Sequence, residues 1–259
     1  MNVRKITGFN ERYAGINREE RNYAAIFYHA LLQPENSRKF LRLLKMDEPI
    51  GNDFGIYYEY SFLRDLWERT KDNNTRKQII KEHLHIDKID EILTSETEEI
   101  NARFGVSGRP SKTDIQSPGS WSIQKFHTNF QSSEDLLAVC KFKWSFNIKP
   151  DIVIHLDNDR AICIEAKYVS GEGHYPSSSI DKEIFNKRGI PYVGQLELQR
   201  YMMTKLLGID TRFVFLVQKK ASIKSVQSIL WSEAFEAMGF KSDFPFINDF
   251  LKNTKTTSV

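Results

Sequence analysis

Three residues in the stretch 149–168, KPDIVIHLDNDRAICIEAKY, are of types that do chemistry together. Asp151 opens one apolar run, and Glu165 and Lys167 close a second. Two carboxylates on neighbouring strands can hold a hard divalent cation, Mg²⁺ or Mn²⁺, through oxygen atoms. Such an ion polarises a phosphate and lowers the pKa of a bound water. A lysine two residues from one of the acids can position that water or offset charge on the phosphate. The backbone carbonyl of Ala166, between Glu165 and Lys167, is a further candidate ligand.

The elements that must position these groups are two strands and a tight turn. Side chains alternate faces along a strand. Ile152, Ile154 and Leu156 therefore share one face of the first strand, with Asp151, Val153 and His155 opposite. In the second, Ile162, Ile164 and Ala166 share a face, with Cys163, Glu165 and Lys167 opposite. A two-residue loop at Asn158-Asp159 pairs Asp151 with Ala166 and sets the apolar rows on opposite sides. A three-residue loop, either Asp157-Asn158-Asp159 or Asn158-Asp159-Arg160, aligns the rows and gathers Asp151, Glu165 and Lys167. Apolar rows and polar cluster thus select the same kind of register.

Pro150-Asp151 followed by Glu165-Ala166-Lys167 resembles the PD-(D/E)xK motif of the restriction-endonuclease-like nucleases. The resemblance covers roughly residues 120–220. It implies a mixed α/β (α+β) fold with an αβββαβ core, its mixed sheet flanked by helices. It also implies metal-dependent phosphodiester hydrolysis, of DNA before RNA, in restriction, phage defence or DNA processing. Asp151 and Glu165 would be metal ligands and Lys167 the catalytic lysine. Many members add a glutamate on the helix before the first core strand and a glutamine on the helix after the third. Glu59, flanked by tyrosines, and Glu134, before the expected first strand, compete for the acidic position. Gln195 is preferred over Gln199 for the glutamine. Tyr201 stands six after Gln195 and two after Gln199, so the Q-x-x-x-Y motif of the recombination-nuclease branch is not matched. The rival reading is a nuclease fold without catalysis, used for nucleic-acid binding or assembly.

The rest of the chain sets the frame. Its 259 residues suffice for a large domain or a core with an added lobe. A net charge of +3 is too small to argue for a polyanion partner. Neither a membrane-spanning run nor a secretory signal is evident, so the expected location is cytoplasmic. Cys140 and Cys163 fall in expected strands, as reduced buried thiols. Homodimerisation, which double-strand cutting often needs, leaves no mark in the sequence.

Residues 1–16 read as irregular, and helical periods cover 17–32, 36–44, 55–71 and much of 73–99. The glycine- and proline-bearing stretch 105–119 reads as a boundary between an N-terminal helical region, 1–119, and a nuclease core, 120–259. The alternation of Phe142 and Trp144 with Lys141 and Lys143 predicts a first core strand over 140–146. Residues 169–191 read as a mobile loop offering His174, Lys182, Lys187 and Arg188 to phosphates. A helix over 193–207, a strand over 211–217 and a helix over 226–238 follow, with a frayed end.

Overall fold

The computed structural model describes residues 6–7, 14, 17–46, 51–106, 108–168, 171–219 and 226–254. Helices α1 (Glu20–Leu31) and α2 (Pro34–Leu43) precede strand β1 (Gly55–Tyr58). A helical stretch follows: α3 (Phe62–Arg69), α4 (Asn73–His83), α5 (Ile89–Thr94), α6 (Thr97–Arg103), α7 (Ile123–Phe126) and α8 (Ser133–Ser145). Then come β2 (Ile152–His155), β3 (Arg160–Ala166), β4 (His174–Tyr175), α9 (Ser179–Lys187) and β5 (Val193–Gly194). Helix α10 (Gln195–Arg200) runs on into a π-helical segment, Tyr201–Leu206. Strands β6 (Asp210–Val217) and β7 (Gln227–Leu230) and helices α11 (Trp231–Met238) and α12 (Pro245–Thr254) complete the described chain.

These elements form two units interleaved along the chain. The first comprises Met1–Tyr60, Pro150–Gly171 and Thr211–Val259, the second Ser61–Lys149 and Glu172–Asp210. The expected division at 119/120 is therefore corrected. Strand β1 pairs with β2 across some ninety intervening residues, which ties the N-terminal helices to the sheet rather than to a separate lobe.

The first unit is a five-stranded sheet in the order β1-β2-β3-β6-β7. It is mixed: β1, β2 and β3 are antiparallel, whereas β6 and β7 are parallel. Ile152, Ile154, Ile162 and Ile164 face a core built with Tyr23, Phe27 and Leu31 of α1, Phe40 of α2, and Trp231 and Phe235 of α11. Phe27 is fully buried at its centre, edge-on to Phe40 (5.1 Å), Phe235 (5.5 Å) and Trp231 (5.9 Å). The opposite row is buried as well at Val153 and Cys163, as in a sheet covered on both faces.

The second unit is largely helical, with the two-stranded ribbon β4-β5. Phe104 stacks on Trp121 at 4.0 Å, and Trp67 meets Phe146 edge-on. The Asp72 carboxylate caps α4 by accepting from the Asn74 and Thr75 amides.

Several local expectations fail for identifiable reasons. The helix over 55–71 is instead β1, a break at Glu59 (φ 51°), and the shorter α3. Tyrosines favour strands as readily as they fill a helical stripe, and pairing with β2 decides. The strand over 140–146 is the end of α8, so Cys140 lies in a helix. That helix is buried on several sides, at Leu136, Val139, Cys140, Phe142 and Trp144, so an alternation within it does not mark a strand. Residues 227–230 are β7 rather than helix. The supposed loop after 168 contains β4 and α9, the latter capped by Ser178 Oγ accepting from the Asp181 amide. The irregular N-terminus expected over 1–16 lies mostly outside the described residues, as do 169–170 and 255–259.

Truncating Phe27→Ala removes the hub of this aromatic core with no room for it to refill. The expected loss is about 3–5 kcal/mol of unfolding free energy, read by urea denaturation of the metal-free protein.

Candidate functional site

The site starts from the turn between β2 and β3. Asp157 Oδ1 accepts from the amides of Asp159 (2.9 Å) and Arg160 (2.8 Å), and Asp157 Oδ2 pairs with the Arg160 guanidinium at 2.7 Å. The bond to Arg160, followed by the backbone amides, holds the Asp157 carboxyl below the usual range. A side-chain oxygen that satisfies its own turn is a stable device for Asp. Ladder pairing then sets Ile152 against Ile164, Ile154 against Ile162, and His155 against Ala161. The Leu156 amide donates to Arg160 O across a loop of Asp157, Asn158 and Asp159. This is the first of the two three-residue registers open from the sequence.

Carried one step outward, the register sets Asp151 beside Glu165. Asp151 Oδ2 accepts from the Ala166 amide at 2.7 Å, and Asp151 O accepts from the Glu59 amide at 2.9 Å. Glu165 is 4% exposed, and its Oε1 lies 2.9 Å from Lys167 Nζ. Burial, then the Glu165 carboxylate, pushes the Asp151 carboxyl up to about 7, with Glu59 adding to the rise. The Ala166 amide and Lys167 oppose it. Burial works against the Lys167 ammonium, yet Glu165, Glu20 and Asp151 together raise its pKa. Two acids and an ammonium thus share a desolvated corner in which each carboxylate raises the cost of ionising the other.

That donor set suits a hard divalent ion. Asp151 and Glu165 offer carboxylate oxygens, and Ala166 the carbonyl between two site residues. Mg²⁺ takes one or two carboxylates and keeps several waters, so a larger protein cage is not needed. No group of three or more His, Cys, Asp or Glu side chains arranged to hold a metal occurs among the described residues.

The other sequence-derived candidates fall differently. Glu59 leaves its expected helix for the position just after β1, where its backbone is left-handed, its amide donates to Asp151 O, and its Oε1 lies 3.7 Å from Arg21 Nε. A positive φ at a non-glycine residue is strained, and such strain clusters at functional sites. Glu134 sits in the first turn of α8, where Ser132 Oγ accepts from the Asp135 amide; it complements that helix end. Gln195, half-buried, begins α10 in the second unit, its amide donating to Gly173 O; Gln199 is fully buried. Arg188 donates from both guanidinium ends to Phe130 O and His127 O, which is a structural task. Lys187 pairs with Glu183 at 2.7 Å on an exposed helix face, and Lys182 is half-buried on the same helix. His174 is part of β4.

One acid escaped the sequence reading. Glu20 opens α1, and its Oε1 accepts from the Tyr168 amide at 2.9 Å, next to Lys167. The local sequence around Glu20 carries no signal of this; the fold alone brings α1 to the end of β3.

No protein-family model, curated protein or solved structure matches this chain.

A raised carboxyl pKa has a definite sign for stability. Between 3.8 and about 7 the folded chain binds more protons at Asp151 than the unfolded chain does, so stability falls as pH rises through that window. Asp151→Asn keeps an acceptor for the Ala166 amide and removes the buried charge. Metal-free Asp151→Asn is expected to melt above the wild type at pH 8, by roughly 2–4 °C per kcal/mol recovered. The gap should close near pH 4, as followed by thermal unfolding in EDTA.

Proposed function

We propose that this chain is a Mg²⁺- or Mn²⁺-dependent nuclease of the restriction-endonuclease-like kind, hydrolysing phosphodiester bonds in DNA. The observation that carries the proposal is the convergence of Asp151, Glu165 and Lys167 at one end of the β2–β3 pair, with Asp151's carboxyl raised by burial beside Glu165. The mixed sheet supports it: β1, β2 and β3 run antiparallel and β6 lies beside β3, with residues 61–149 falling between β1 and β2 along the chain. The family resemblance of the motif makes DNA, in restriction, phage defence or DNA processing, the first substrate class to test.

In this reading Asp151, Glu165 and the Ala166 carbonyl hold the ion. Glu59 adds negative charge from the end of β1. Bound there, the ion supplies Lewis acidity toward a phosphate and an acidified water. Glu165 meanwhile keeps Lys167 charged, so its ammonium can donate to a phosphate oxygen or hold the attacking water. Burial of the pair excludes bulk water and strengthens each of these contacts.

The test is a cleavage panel of plasmid, linear duplex, single-stranded DNA and RNA with Mg²⁺, Mn²⁺ or EDTA. Metal-dependent DNA cleavage is expected, with Asp151→Ala, Glu165→Ala and Lys167→Ala each losing roughly a hundred- to a thousandfold. Wild-type rates in Asp151→Ala and Glu165→Ala would falsify the assignment. Nucleic-acid binding without cleavage would favour the binding or assembly role.

Mn²⁺ binding, followed by titration calorimetry, should require Asp151 and Glu165. Because the ion competes with a proton on Asp151, affinity should weaken as pH falls below about 7. The decline should approach about tenfold per pH unit for one displaced proton.

A further inference from the structure

The peptide that carries Lys167 is gripped from several sides just where the strand gives out. Strand β3 ends at Ala166. Beyond it, the Lys167 amide donates to Leu216 O at 2.7 Å, and the Trp231 indole N–H donates to Lys167 O at 3.1 Å. The next amide, of Tyr168, donates to Glu20. The Tyr168 ring stacks on Tyr23 at 4.6 Å with planes 9° apart, and its hydroxyl donates to Asn253 O at 3.3 Å. Four elements, α1, β6, α11 and α12, thus converge on two consecutive residues.

We propose that Trp231 is a positioning residue for Lys167. Its indole N–H fixes the Lys167 carbonyl, as Leu216 fixes the Lys167 amide. Together they set the direction in which the side chain leaves the backbone to meet Glu165. A lysine has four rotatable side-chain bonds, so an ammonium held 2.9 Å from a buried carboxylate needs a fixed origin. Trp231 is fully buried and opens α11 immediately after β7, so its own position is set by the sheet. The hold on Lys167 stands on this geometry alone; its effect on catalysis rests on the nuclease reading.

The competing view is that Trp231 only fills the core with Tyr23, Phe27 and Phe235. Trp231→Phe removes the N–H and keeps an aromatic ring. Phe235→Leu disturbs the same cluster without touching Lys167. Each variant is treated with an amine-acylating ester at one fixed pH, and labelling of Lys167 is timed by peptide mass spectrometry. Trp231→Phe should label roughly tenfold faster than wild type, the effect of losing one buried hydrogen bond, and Phe235→Leu should stay within roughly twofold. Equal labelling in the two variants overturns the proposal. Tyr168→Phe, which loses only a hydroxyl, serves if Trp231→Phe does not fold; it should also label faster than Phe235→Leu, and no difference counts against the hold.

Cleavage assays add the catalytic side. Trp231→Phe should lose roughly tenfold in kcat with Mn²⁺ affinity unchanged within roughly twofold. A wild type that labels slowly but cuts nothing would defeat the nuclease reading and leave the positioning of Lys167 standing.

Discussion

The structure depends on the register of one hairpin. Because side chains in a strand repeat every two residues, a slip of one would carry the isoleucines of β3 out of the core and its acid into it. Asp157 prevents the slip locally, by accepting both amides of its own turn and pairing with Arg160. The rows of Ile152, Ile154, Ile162 and Ile164 reinforce it from the core side. A single alignment therefore delivers apolar surface to one face and Asp151, Glu165 and Lys167 to the other.

The same alignment creates an electrostatic conflict. Asp151 and Glu165 are drawn together in a corner where water screens little, and the Lys167 ammonium lies against Glu165. An isolated hairpin would relieve this by opening. Here the strands are backed by the aromatic cluster of α1, α2 and α11, and flanked by β1 and β6. Stability gathered in the core thus supports a corner that opposes it, the usual relation between a scaffold and a strained site.

What was legible in the chain was what is local. The hairpin, its loop length, the shared face of its acids and the lysine all follow from twenty consecutive residues, because alternation and turn chemistry act over that range. The first strand of the sheet was not legible. Residues 55–58 become a strand by pairing with 152–155, and nothing near Tyr57 and Tyr58 announces a partner so remote. Glu20 was not legible either, because only the fold brings α1 to the end of β3, 148 residues away. Residues 140–146 misled for another reason: a helix buried on several sides loses its amphipathic period, and a chance alternation of lysines with aromatics was all that remained. Glu59 was singled out on the wrong element, yet β1 pairing brings its backbone to Asp151.

The interleaving of the two units bears on how the chain is made. The isoleucine rows of β2 and β3 leave the ribosome well before Trp231, Phe235 and Phe250, which help cover them. During that interval a growing chain carries an unfinished apolar sheet, the kind of surface that invites chaperones or misassembly. The second unit, by contrast, draws on no segment beyond Asp210 and can be complete while the first still waits. Synthesis thus imposes an order on folding: the long insert can settle early, and the corner that holds Asp151, Glu165 and Lys167 gains its full support only once α11 and α12 have followed.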